Sequence, residues 1–122
     1  AVVVNDAYNA NPTSMRAALE ALAAMEADRR IAVLGEMAEL GPSSAEGHLE
    51  VAGEALELGV ELVAYRTPAY GVPAAVTEAE LVDRLMPLGR GDVVLVKGSR
   101  AAGLEAVADA LVRALDGTGA GR

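Results

Sequence analysis

The segment Asn5–Met15, reading NDAYNANPTSM, places the carboxylate of Asp6, the phenol of Tyr8 and the amides of Asn9 and Asn11 within one short stretch. Such groups suit sugar hydroxyls and nucleotide edges. A carboxylate accepts two hydrogen bonds at once, so Asp6 is a candidate for vicinal ribose hydroxyls. The same residue types also satisfy turn and cap donors, and spacing alone leaves both readings open for Asp6 and Asn11. A second segment reads VLVKGSR. Lys97 is the only lysine in the chain, beside nine arginines. Gly98 permits close backbone approach, and Ser99 and Arg100 are expected to open a helix whose amides favour anions. Lys97, Ser99 and Arg100 thus read as a carboxylate or phosphate site, against the plainer alternative of a strand-end lysine followed by a serine cap. A third segment, GEMAELG, carries Glu36 and Glu39. Paired carboxylates can bind a cation or accept a proton, although solvated loop charge is the commoner explanation. His48, the only histidine, falls near a helix start, where a structural role is commoner than a catalytic one. No residue here is assigned as catalytic or as a metal ligand.

These segments need a frame that brings them together. Ala1–Val4 is a continuous apolar run, as in a buried parallel strand. Met15, Ala18, Leu19, Leu22 and Met25 then recur at helical spacing, with Asn11, Thr13 or Ser14 as cap and Pro12 in the first turn. Ile31–Leu34 reads as a second strand. Ser43 or Ser44 caps a second helix whose apolar face is expected at Leu49, Ala52, Gly53 and Leu56, ending near Gly59. Glu61–Tyr65 is a third strand. The stretch Arg66–Val76 reads as loop with an edge strand at Ala74–Val76. A third helix runs from Thr77, with Glu80 placed for a capping box, to Leu88. Asp92–Val96 is a further strand, and a last helix spans Ser99–Leu115, leaving 116–122 as a Gly-rich flexible tail. Strands alternating with helices predict an α/β fold: a doubly wound, mostly parallel, Rossmann-like sheet with helices on both faces, over residues 1–115. In such a sheet, ligands gather at the carboxyl ends of the strands, where all three segments fall.

Composition narrows the function classes. The 122 residues are 52% hydrophobic with no Phe or Trp, so the core is aliphatic. With no cysteine, disulfides, thiolate metal sites and thiol nucleophiles are excluded. A net charge of −8 argues against a nucleic-acid or anionic-membrane surface. No apolar run approaches a membrane span, and a cytoplasmic protein is expected. Neither G-x-x-x-x-G-K-[ST] nor G-x-G-x-x-G occurs, so the usual phosphate cradles are missing. The chain opens inside an apolar strand, as expected of a piece cut at a domain boundary, with part of the working site on other residues.

DAYNANPTSM after a strand, LGEMAELG, the histidine ahead of VAGEA, and VLVKGSR before the last helix together resemble the C-terminal domain of the Mur ligases. The resemblance runs from Val2 to about Leu115, and YNANP, GEMAELG and VKGSR are similar to the branch that uses D-Ala-D-Ala. It implies an N-terminal domain for the UDP-sugar and a central ATPase domain bearing the P-loop, both outside these residues. It implies ATP-dependent addition of D-Ala-D-Ala to UDP-N-acetylmuramoyl-tripeptide through an acyl phosphate, with Mg²⁺ held mainly by the central domain. Carried over by motif, Asp6 matches the aspartate near the ATP ribose, and Tyr8, Asn9 and Asn11 match the rest of that nucleotide-binding loop. Lys97, Ser99 and Arg100 match the loop facing the amino substrate, and Glu36 and His48 match positions lining the cleft. Asn5 departs from a second aspartate common in relatives, and Arg66–Val76 is shorter than usual, which puts the sheet's edge in question. A stand-alone flavodoxin-like ligand-binding or regulatory module is the alternative. A folylpolyglutamate synthase-like ligase fits YNANP and VKGSR less well.

Overall fold

The computed structural model describes residues 1–6, 10–38, 40–99 and 103–120, the last five as backbone. Five strands form one all-parallel sheet in the order β1-β5-β2-β3-β4, with β1 at Val2–Asp6, β2 at Arg30–Leu34, β3 at Glu61–Tyr65, β4 at Ala74–Ala75 and β5 at Val93–Lys97. Among the described residues four helices connect or follow them: α1 at Pro12–Ala24, α2 at Ser44–Glu57, α3 at Glu78–Leu85 and α4 at Leu104–Ala120. A short 3-10 turn at Gly41–Ser43 leads into α2.

The central strands β2 and β5 bury side chains on both faces, as parallel sheets require. Period-two alternation divides them between two cores. Ala32, Leu34, Val93 and Leu95 face Met15, Leu19 and Leu22 of α1 and Val51 and Ala55 of α2. Ile31, Val33, Val94 and Val96 face Leu81 and Leu85 of α3 and Leu104, Val107 and Leu111 of α4. Helices therefore cover both faces of the sheet, as the alternation of elements predicts.

Several boundaries differ from the sequence expectation, each for a local reason. Strand β1 runs on to Asp6 because it pairs with β5 as far as Asp6 opposite Lys97. Helix α3 stops at Leu85 rather than Leu88, since Pro87 can supply no helical N–H and disfavours helix in the residue before it. Thr77 caps α3 by accepting the Glu80 N–H at 3.1 Å, but the Glu80 carboxylate returns to the N–H of Val76, one residue before a capping box. Helix α4 starts at Leu104, after Gly103 at φ 72°, not at Ser99, and it continues past Leu115 to Ala120. Edge strand β4 is present at Ala74–Ala75, so the short Arg66–Val76 segment keeps an edge element.

The largest difference lies in α2. Its buried residues are Gly47, His48, Val51 and Ala55, whereas Leu49 and Leu56 are 55% and 82% exposed. The expected Leu49–Ala52–Gly53–Leu56 face thus points mostly away from the core. Small residues decide this orientation. A Cβ on Gly47 would sit 3.0 Å from Leu40 Cδ1 and 3.2 Å from Pro12 Cγ, tighter than ordinary contact, so glycine suits the close approach of α2 to α1 and the turn before it.

Candidate functional site

Helix α1 begins where the polar segment ends. Asn11 accepts the Ser14 N–H on Oδ1 at 2.9 Å, and Ser14 Oγ accepts the Asn11 N–H at 3.1 Å, a reciprocal capping box. The carbonyl oxygen of Asn11 therefore serves the helix, and its amide nitrogen is the group that could address a ligand. Tyr8 and Asn9 lie outside the described residues.

Asp6 and Lys97, assigned from sequence to two different ligands, form one ion pair. They are register partners on adjacent strands, and Lys97 Nζ donates to Asp6 Oδ2 at 2.7 Å. The pair is asymmetric: the lysine side chain is 4% exposed and the aspartate side chain 47%. An ammonium cannot lie in a core without an acceptor, so Asp6 anchors Lys97 while keeping its own outer side in water. The pair stands at the carboxyl ends of β1 and β5, where open parallel sheets bind ligands.

The VKGSR segment otherwise departs from expectation. Beyond the strands, the Gly35 N–H donates to Lys97 O at 3.0 Å and the Ser99 N–H to Glu36 O at 2.9 Å, so the β2 and β5 loops remain zipped together. The Ser99 amide is thereby used within the protein, and Ser99 is not the cap of α4, which opens at Leu104. Close approach at Gly98 is real, but its partner is the protein itself. A Cβ there would lie 2.4 Å from Leu104 Cδ1 and 3.0 Å from the Gly35 Cα. Arg100 and Glu39 lie outside the described residues.

Glu36 is exposed at the end of β2 and so borders the same edge. His48 is buried and bonded at both ring nitrogens. Its Nε2 accepts the Met37 N–H at 2.9 Å, which leaves the proton on Nδ1, and Nδ1 donates to Ser44 O at 2.6 Å. A backbone N–H can only donate, so this tautomer is fixed by the bonding. His48 is thus a brace for the β2 loop, not a proton carrier facing the cleft.

Tyr70 is the member that sequence reading missed. Its ring meets the His48 ring edge-on, with centroids 4.9 Å apart, and its hydroxyl donates to Gly35 O at 2.8 Å. Burial pushes the Tyr70 phenol above its ordinary value, and the Glu36 carboxylate adds to the shift. It is one of three tyrosines in a chain with no Phe or Trp, a rarity that could have flagged it.

An all-parallel α/β sheet with an aspartate–lysine pair at its carboxyl edge has the architecture of the open α/β domains, whose ligands bind at strand ends. The model of the Mur ligase, glutamate ligase domain family matches residues 1–100, and the chain belongs to that family. It is 44% identical, over 90% of its length, to the UDP-N-acetylmuramoyl-tripeptide–D-alanyl-D-alanine ligase of Mycobacterium tuberculosis (strain CDC 1551 / Oshkosh). It is 36% identical, also over 90%, to the ligase of that name from Escherichia coli (strain K12). The MurF ligase from Thermotoga maritima, solved in complex with ADP, superposes with a TM-score of 0.85 at 27% identity over 95% of the chain. The chain spans 28%, 26% and 29% of these three proteins, respectively.

Proposed function

We propose that these residues form the C-terminal domain of an ATP-dependent ligase that joins D-Ala-D-Ala to UDP-N-acetylmuramoyl-tripeptide in cytoplasmic peptidoglycan precursor synthesis. The observation that carries this reading is the half-exposed Asp6 carboxylate held by Lys97 at the carboxyl edge of the sheet. It supplies an acceptor for ribose hydroxyls in a chain whose relatives bear that ligase name, one neighbour having been solved with ADP.

In this reading the γ-phosphate passes from ATP to the terminal carboxylate of the tripeptide, leaving ADP and an acyl phosphate. The free amine of D-Ala-D-Ala attacks the acyl carbon and gives up a proton, and the tetrahedral intermediate collapses to the new amide with loss of phosphate. Asp6 orients the nucleotide through its ribose, and Tyr8, Asn9 and Asn11 complete that wall. The loop after β5, with Ser99 and Arg100, faces the incoming dipeptide, whose carboxylate needs cationic or N–H partners. Bound Mg²⁺ supplies charge neutralisation at the phosphates. In this reading its ligands lie mainly on the central domain. Docking of this domain on the central one excludes water from an acyl phosphate that would otherwise hydrolyse.

The test compares the 122-residue chain alone with the same chain joined to the upstream domains of a full-length ligase. The chain alone is expected to bind ATP weakly and to release no phosphate in the presence of both peptide substrates, with ligation restored in the joined protein. Ligation by the chain alone would overturn the reading.

A further inference from the structure

The carboxylate-binding role that motif matching gives Lys97 meets a geometric obstacle. Its side chain is 4% exposed and its Nζ is engaged with Asp6 Oδ2 at 2.7 Å. The two residues are register partners on neighbouring strands, so the backbone itself sets their spacing. A dissolved carboxylate could reach that ammonium only by displacing Asp6, the member of the pair that faces solvent. We infer that Lys97 is a positioning residue for Asp6 and acts on the nucleotide, not a binding residue for a substrate carboxylate.

Two physical effects support this assignment, which rests on the reading of Asp6 as the ribose-facing group. First, an unpaired aspartate at a strand end rotates freely. Clamping Oδ2 fixes the plane of the carboxylate before the ligand arrives, leaving Oδ1 to accept a ribose hydroxyl, and such preorganisation lowers the ordering cost of binding. Second, a bare carboxylate beside a polyphosphate repels it. An ammonium 2.7 Å away offsets that charge locally, in a chain whose net charge is −8. A neutral side chain at position 97 would provide neither effect. The dipeptide carboxylate must then find its partners elsewhere in the loop or on another domain.

The experiment uses the full-length ligase that carries this domain, with the variants Asp6→Asn, Lys97→Met and the double replacement. Each is assayed for kcat and for the KM of ATP, of 2′-deoxy-ATP and of D-Ala-D-Ala. Asp6→Asn is expected to raise the KM for ATP about 10-fold and to erase the preference for ATP over its 2′-deoxy analogue, the size of one lost charge-assisted hydrogen bond. Lys97→Met is expected to raise the same KM about 3- to 10-fold and to lose the same preference. The KM for D-Ala-D-Ala and kcat should change less than about twofold. If Lys97 acts only through Asp6, the double variant matches Asp6→Asn alone. The double variant has no buried ammonium, and in Asp6→Asn the side-chain amide oxygen can still accept from Lys97, so this comparison carries the test if Lys97→Met folds poorly. A rise in the KM for D-Ala-D-Ala with the sugar preference intact in Lys97→Met, or a double variant additive over the singles, overturns the inference while the Asp6 reading stands. An Asp6→Asn enzyme with unchanged KM and sugar preference for ATP overturns both.

Discussion

Two neighbouring stretches of the sheet's carboxyl edge are built on opposite principles. At β1 and β5 the contact is ionic, and one of its two members is half-exposed. At β2, α2 and the loop after β3 the contacts are neutral and closed: Met37 N–H to His48, His48 to Ser44, and Tyr70 to the Gly35 carbonyl. A buried neutral hydrogen bond contributes modestly when made and costs much more when one partner is left alone. The braced side therefore gives the loop its shape. The ionic side keeps an acceptor exposed where a ligand can take it. On the proposed reading of Asp6, stability and binding are separated along one edge, and changes on the two sides should read out in different assays.

His48→Ala breaks the braced side most severely. It strands the buried Met37 N–H and opens a void beside Tyr70, so a loss of about 2–4 kcal/mol in unfolding free energy is expected from denaturant titration. The ionic pair should survive in the folded fraction, because neither Asp6 nor Lys97 contacts this histidine in any described bond. A loss below about 0.5 kcal/mol would show that the brace does not hold the loop.

Tyr70→Phe is the milder break, at about 1–2 kcal/mol, since the ring stays and only the bond to the Gly35 carbonyl is lost. It also carries a pH signature. Burial raises the folded-state phenol above its ordinary value of 10.0. A raised folded value means that the contribution is complete below the unfolded value near 10 and is lost as pH rises through the folded one. The melting temperature of the parent protein should accordingly fall more steeply above pH 10 than that of Tyr70→Phe. Parallel curves for the two proteins would remove Tyr70 from the brace.

The ionic side was largely legible in the sequence, because a lone lysine after a β-branched strand and an aspartate after an apolar run both announce strand ends. What could not be read was that these two strand ends are adjacent. Parallel order is set by crossovers, and nothing local says that the last strand, β5, inserts between the first two, β1 and β2. Sequence alone therefore assigns the two residues to separate ligands. On the braced side the obstacle was different. Glycine at 47 and alanine at 55 mark the contact face of α2 by being small, while pattern reading weights leucine. Gly98 shows the same limit: its need for close approach was evident, but its partner, the Gly35 backbone, belongs to another loop.

The orientation of α2 gives the most discriminating prediction. If His48, Val51 and Ala55 are the face that the brace requires, the leucines on the other side contribute little. Leu56 is 82% exposed, so Leu56→Ala should change unfolding free energy by less than about 0.5 kcal/mol. Ala55→Leu, one residue away, adds volume at a fully buried position and should cost about 1–3 kcal/mol through overpacking. The contrast reverses if α2 is turned toward the leucine face. The apolar stripe expected from sequence makes Leu56→Ala a core truncation of about 2–5 kcal/mol and leaves residue 55 tolerant. Two denaturation curves therefore decide which side of α2 meets the sheet. They also decide whether His48 is held where it can bind the Met37 amide.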